Sequence, residues 1–246
     1  MRKSLGKAAA IGTLSAMALV PAVATPATAY AVAATSPVSA QANPTLHFGD
    51  KGPAVTRLQQ RLAALHYDPG TVDGQYGSQT RFAVWAFQKV QGMHPTQAAP
   101  VGTKTWAALA KPRTPKSIVK GGASNRAEVD LTHQLLFIYK GGRLTLISHI
   151  SSGRAYYYYK GQKVNGRTPT GNYSVYRKAK GWETGPLGKL YKGNYFHGGY
   201  AIHGEPDVPL YPASHGCVRT PMHTADIVAN LLPIGTRVYL RGHAPS

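Results

Sequence analysis

The sequence predicts two folded parts, a small all-α three-helix bundle followed by a mainly-β domain. Three observations carry this. Apolar residues fall at helical spacing before residue 110. Short β-rich runs separated by glycine turns fill the region after 126. Between them, "KPRTPKSIVKGGASN" (Lys111–Asn125) has two prolines, paired glycines and four basic residues, the composition of an interdomain linker.

Residues 1–29 are expected to be a secretory signal peptide. Arg2, Lys3 and Lys7 precede the short apolar run "AAAIGTLSAMALV", and small residues with Ala-x-Ala spacing follow at Ala27 and Ala29. The run is too short to span a bilayer as a helix, and no later stretch approaches about 20 apolar residues. Residues 30–45 are small, polar and Pro-bearing and read as a flexible leader. The predicted product is secreted, without a membrane span.

The first folded part is assigned to 46–110. In "PAVTRLQQRLAALHY", Val55, Leu58, Leu62 and Leu65 line one helix face. "VDGQYGSQT" is a turn, and Ser78 is the expected N-cap of a second helix holding Phe82, Val84, Trp85 and Phe87. "VGTKTWAAL" gives a short third helix. Nothing in the bundle looks catalytic.

The second part is assigned to 126–243. "AEVDLTHQLLFIYKGGRLTLISHISSG" shows two β-rich runs around Lys140-Gly141-Gly142-Arg143, a hairpin signal. "TPTGNYSVYRK" is a turn and an alternating strand, and "GGYAIHG" a short apolar run ending at His203. "TADIVANLLPIGTRVYLRG" is a helix, a Pro-Gly turn and a closing strand. The four tyrosines Tyr156–Tyr159 are expected to pack rather than to form a ligand platform.

The formal charge is +19. So basic a chain ordinarily suggests nucleic acid. Export argues against that, and the charge is read as attraction to the anionic polymers, head groups and carboxylates of a cell surface.

The single cysteine, Cys217, cannot make an internal disulfide, so in an exported chain it reads as an intermolecular or reactive thiol. Its setting, "SHGCVRTP" (214–221), looks like an exposed turn. A thiol reacts as thiolate and needs a base or cation at neutral pH. His203 and His215 are the nearby candidates. Cysteine plus histidine, with a third group fixing the imidazole, suits nucleophilic acyl transfer. Gly216 would let a substrate approach, the N–H of Cys217 could serve an oxyanion, and Arg219 is a fork for a carboxylate. His203, His215 and Cys217 could instead form a zinc set, although His-x-Cys is unusual spacing and no water-activating carboxylate stands out. A binding-only wall protein is a second alternative.

Two resemblances narrow this. In 49–88, Gly52, Val55, Leu58, Gln59, Leu62, Asp73, Gly74, Tyr76, Gly77, Thr80, Ala83, Val84, Phe87 and Gln88 resemble the pattern of a peptidoglycan-binding domain of type 1. "HG" at 203–204 followed by "SHGCVR" at 214–219 resembles the signature of L,D-transpeptidases with a YkuD catalytic domain. "VDLTHQLLFIY", "TPTG" and "GTRVYL" are similar to that family's strands.

The second resemblance implies an enzyme without cofactor or metal. Cys217 would be the nucleophile and His203 its base, oriented by the carbonyl of Gly204. The N–H groups of Gly216 and Cys217 would form the oxyanion hole, while Ser214, His215 and Arg219 would shape the site and hold the stem peptide's carboxylates. The implied reaction attacks the bond between the third-residue diamino acid and D-Ala of peptidoglycan stem tetrapeptides and forms 3→3 cross-links through a thioester. Water in place of the amine would give carboxypeptidase activity. The implied partners are stem peptides and glycan, with a carbapenem as covalent inhibitor and no nucleic acid. The segment between the two halves of the motif is shorter and richer in proline than in many relatives, leaving one cleft wall unassigned.

Overall fold

The computed structural model describes residues 43–245. The expected signal peptide and all but the last three residues of the leader lie outside the described residues. No helix among the described residues is long and apolar enough to cross a membrane.

Three helices come first, α1 (Pro53–Ala64), α2 (Ser78–Val90) and α3 (Thr103–Ala110). Pro53 suits the first turn of α1, where its missing N–H has no partner to lose. At α2 the sequence expectation needs correction. Ser78 is the first helical residue, the N-cap is Gly77, and no side chain caps the end.

Several residues of the wall-binding pattern hold this bundle together. The Gln59 amide donates to Asp73 Oδ1 (2.9 Å) and Thr80 Oγ1 (3.0 Å) and accepts from the Gly74 N–H (2.9 Å). A wholly buried amide needs such partners, so those positions are constrained by folding.

The β domain opens with β1 (Arg126–Asp130), β2 (Leu135–Lys140), β3 (Arg143–His149), the hairpin β4 (Tyr156–Tyr159) and β5 (Gln162–Asn165), and β6 (Gly171–Ser174). There follow β7 (Arg177–Lys178), β8 (Trp182–Gly185), β9 (Gly188–His197), β10 (Tyr200–Glu205), β11 (Val218–Pro221), α4 (Met222–Leu231) and β12 (Arg237–Arg241). One five-stranded sheet runs β3-β2-β1-β12-β6, and a second runs β11-β10-β9-β7 with β8 on β9. Pairs β1·β12 and β10·β11 are parallel.

The β2–β3 turn places Gly141 and Gly142 at φ 55° and 77°, as a two-residue hairpin requires. The first apolar run proves to be two strands. Asp130 Oδ1 accepts the N–H groups of Thr132 and His133 (both 3.0 Å) and breaks it with a tight turn.

The continuous apolar stretch of β2 has a simple cause. Side chains alternate between sheet faces, and both faces are covered. Leu136, Ile138 and Leu146 pack toward the second sheet with Phe196, Ile202 and Val218. Leu135, Phe137, Tyr139 and Ile147 pack against the helices in one core with Leu58, Leu62, Trp85 and Phe87.

The connection 111–125 is strapped down at Arg113 and again at Ser117–Ile118. Gln91 Oε1 accepts the Arg113 N–H (2.7 Å), and buried Glu128 accepts from Ser117 Oγ (2.7 Å) and the Ile118 N–H (2.8 Å). Arg126 Nε, 2.6 Å away, compensates the Glu128 charge.

Candidate active site

β10 and β11 position the site. They run parallel with His203 opposite Arg219. Side chains two residues apart share a strand face. His203, Glu205, Cys217 and Arg219 accordingly line one cavity of about 760 Å³.

His203 is buried at 4 % exposure. Its Nδ1 lies 2.9 Å from the Gly204 carbonyl oxygen. A carbonyl only accepts, so Nδ1 carries the proton and Nε2 keeps a lone pair. Burial pushes the imidazole down to about 4; the Gly204 carbonyl opposes this and the Arg219 charge adds to it. Gly204 also lets α4 close on the sheet, because a Cβ there would sit 2.7 Å from the Ala225 methyl.

Cys217 is half-buried. Burial raises its thiol above the ordinary range, opposed by the Ala201 backbone N–H and Arg219. Its Sγ lies 3.8 Å from the Gly199 carbonyl oxygen. At neutral pH both groups are therefore uncharged. Neither shift favours a resting thiolate–imidazolium pair.

Two of the expected site groups are engaged within their own loop. The buried Ser214 hydroxyl donates to the Cys217 carbonyl (2.5 Å) and accepts the Gly216 N–H (3.0 Å). Its one donor proton is spent within the loop, where it shapes the backbone that carries the thiol. For the same reason the Gly216 N–H is already engaged, which leaves the Cys217 N–H as the proposed oxyanion donor.

Gly216 itself has a steric reason. Its φ is +124°, and a Cβ would sit 2.3 Å from the Tyr200 ring. We expect Gly216→Ala to destabilise the chain by about 1–3 kcal/mol through backbone strain and to abolish activity by moving the loop. Thermal melts alongside turnover check this, and a wild-type melting temperature and rate would refute it.

His215 and Arg219 do face the cavity. The His215 ring packs edge-on against Tyr157 at 4.5 Å, and burial, Arg154 and Arg219 all lower its affinity for a proton. Arg219 reaches the Asp207 carbonyl oxygen at 3.3 Å and its carboxylate at 3.8 Å.

The tyrosine run also corrects the expectation of packing. Tyr156, Tyr158 and Tyr159 are exposed, and Tyr157 and Tyr159 line the cleft. The wall left unassigned is the β8–β9 arm, Glu183–Leu190. Glu205 is a residue the sequence reading missed. Its carboxyl is raised by burial and lowered by Arg219, and its signal was its place two residues after His203 on one strand. Among the described residues, no three His, Cys, Asp or Glu side chains gather as a metal-holding group.

The fold is a cleft-bearing β domain joined to a three-helix domain. The L,D-transpeptidase catalytic domain family, YkuD, matches residues 124–240, and the putative peptidoglycan binding domain family matches 51–109. An L,D-transpeptidase from Xylanimonas cellulosilytica is 39 % identical with TM-score 0.73, covering 80 % of this chain and 97 % of that one. Another from Stackebrandtia nassauensis is 25 % identical with TM-score 0.49, covering 80 % and 95 %. None of the curated proteins matches. The chain belongs to the L,D-transpeptidases, and it is a cell-wall transpeptidase carrying a peptidoglycan-binding domain.

Proposed function

We propose that the enzyme works through Cys217 and makes 3→3 cross-links between peptidoglycan stems. The observation that supports this best is the His203 ring. Its Nδ1 proton is spent on Gly204, and Nε2 is left as an acceptor in the cavity that holds Cys217.

In this reading Cys217 Sγ attacks the carbonyl joining the third-residue diamino acid to D-Ala of a stem tetrapeptide. The thiol proton passes to His203 Nε2, and the negative oxygen meets the Cys217 N–H. The carbon–nitrogen bond then breaks, His203 returns the proton to the departing D-Ala nitrogen, and a thioester remains. A side-chain amine of a second stem attacks it and loses a proton to His203. The new amide forms, and the sulfur leaves as thiolate and recovers the proton. Arg219 and His215 would steer the stem's carboxylates. A carbapenem would acylate the same sulfur.

Residues 46–110 would keep the enzyme on its polymer and raise the effective substrate concentration. Export by the segment 1–29 would deliver it there.

Intact-protein mass spectrometry with purified disaccharide-tetrapeptide tests the reading. We expect a mass gain of substrate minus D-Ala on the wild-type chain and none on Cys217→Ala, followed by a cross-linked dimer. An adduct that survives in Cys217→Ala would sink it. Free tripeptide without dimer would make the enzyme a carboxypeptidase.

A further inference from the structure

The most elaborate polar contact outside the cleft joins the helical domain to the segment that delivers the thiol. After His203 and Glu205 the chain runs through residues 206–213 to Ser214 and Cys217. The extension of β3, residues 149–154, grips that segment stepwise. Ser151 Oγ donates to the Tyr211 carbonyl (2.8 Å). The Ser152 carbonyl accepts the N–H groups of Ala213 and Ser214 (both 3.0 Å). The Arg154 N–H donates to the Ser214 carbonyl (3.0 Å).

The first grip is His149, whose Nε2 lies 3.1 Å from the carbonyl oxygens of both Val208 and Pro209. Two carbonyls can only accept, so Nε2 carries the proton and Nδ1 must accept. What it meets there is Lys89 Nζ, at 2.8 Å.

Lys89 belongs to α2 of the helical domain, and α2 encloses the ring. Phe82 stacks on His149 at 6.0 Å and Trp85 meets it edge-on at 5.2 Å. Positions 82, 85 and 89 fall on one helix face. Lys89 also donates to the Gln134 carbonyl (3.2 Å). The Gln134 side chain in turn donates to Ser152 Oγ (2.8 Å) and accepts the Ser152 N–H (2.7 Å). A second route thus runs from the same ammonium to the residue that holds Ala213 and Ser214.

Burying an ammonium is costly, and burial pushes Lys89 down to about 7 against the Asp130 charge. A Met or Leu would fill such a place at less cost. What the lysine adds is direction. It fixes the His149 tautomer and aims its one N–H at the loop.

We infer that Lys89 and His149 are positioning residues through which the helical domain holds the Cys217 loop in register. The inference rests on Cys217 being the acylated group only for its kinetic consequence; the loop restraint stands on geometry alone.

The test compares three full-length variants. His149→Gln keeps both capacities, with an amide oxygen for Lys89 and an amide N–H for the carbonyls. His149→Leu removes both. Lys89→Met with His149→Leu also removes the stranded charge, which restores the fold if charge burial is the damage. Thioester formation is followed by mass, melting temperature by calorimetry, and deuterium exchange over 206–216 by peptide mass.

We expect His149→Gln to stay within about threefold of wild type. A misplacement of about 1 Å costs up to 10²-fold. Both leucine variants should therefore acylate about 10- to 100-fold more slowly, with the half-saturating substrate concentration unchanged. Exchange over 206–216 should rise in both, even though the double variant melts no lower than His149→Leu. Wild-type exchange in the double variant, or a loss in His149→Gln as deep as in His149→Leu, overturns the inference. A wild-type chain that forms no thioester refutes the proposed nucleophile, and the exchange data still judge the loop restraint.

Discussion

Replacing His203 by glutamine is expected to lower thioester formation by about 10²- to 10⁴-fold at pH 7, the usual contribution of a positioned base. The change of pH dependence is the sharper result. In the wild-type chain the imidazole, held down near 4 by burial, is neutral and able to take a proton at any higher pH. The acylation rate should therefore be flat above about pH 5 and fall as pH drops through 4. Burial raises the thiol, so almost no thiolate exists at neutrality. Without His203 the rate can follow only that small fraction. It should climb about tenfold per pH unit from 6 to 9, because each unit multiplies the thiolate tenfold below its pKa. The variant and wild-type profiles thus converge toward alkaline pH. A flat profile for the variant over 6 to 9 would mean that the thiol reacts without this base, and another group would have to be sought.

His203 and Cys217, which line one cavity, could be picked out from the sequence because that choice depends on local spacing. "HG" and "SHGC" each lie in a short segment, and the parallel pairing of β10 with β11 brings them together. The bundle helices were legible from their apolar period. Four features were not, each for a physical reason. The expected Ser78 cap failed because a serine hydroxyl looks the same whether it caps a helix or begins one, and Gly77 takes the outer position. The partners of Ser214 were hidden because they are backbone groups of its own loop. The Tyr156–Tyr159 run gave no alternation of residue type, so sequence could not say which faces it presented; the structure splits it between cleft and solvent. The Lys89–His149 contact joins residues sixty positions apart across a segment that reads as a linker, and neither residue belongs to a motif.

The continuous apolar run of β2 carries the second large expectation, which concerns the border between the domains. "LLFIYK" reads as a strand buried on both faces, and only one of those faces meets the rest of the β domain. The other face, with Leu135, Phe137, Tyr139 and Ile147, is covered by helices on the far side of residues 111–125. Cutting the chain at that segment would expose all four. At about 1.5–3 kcal/mol for each large apolar side chain, the loss is on the order of 6–12 kcal/mol. That is comparable with the whole stability of an ordinary domain, about 5–15 kcal/mol. The cut also removes the bond from the Ile147 N–H to the His66 carbonyl (2.8 Å) and that from Thr224 Oγ1 to Asp68 (2.9 Å). Residues 111–246 alone are therefore expected to lack a cooperative thermal transition, to bind a hydrophobic dye and to release no D-Ala from tetrapeptide. A fragment that melts cooperatively within a few degrees of the full chain would show the shared core to be dispensable, and the helices would then be a tether and nothing more. The expected result gives them a second task. The domain that would keep the enzyme on the wall polymer would also complete the sheet on which the strands of the site are built, so neither domain could be exchanged without remaking the face between them.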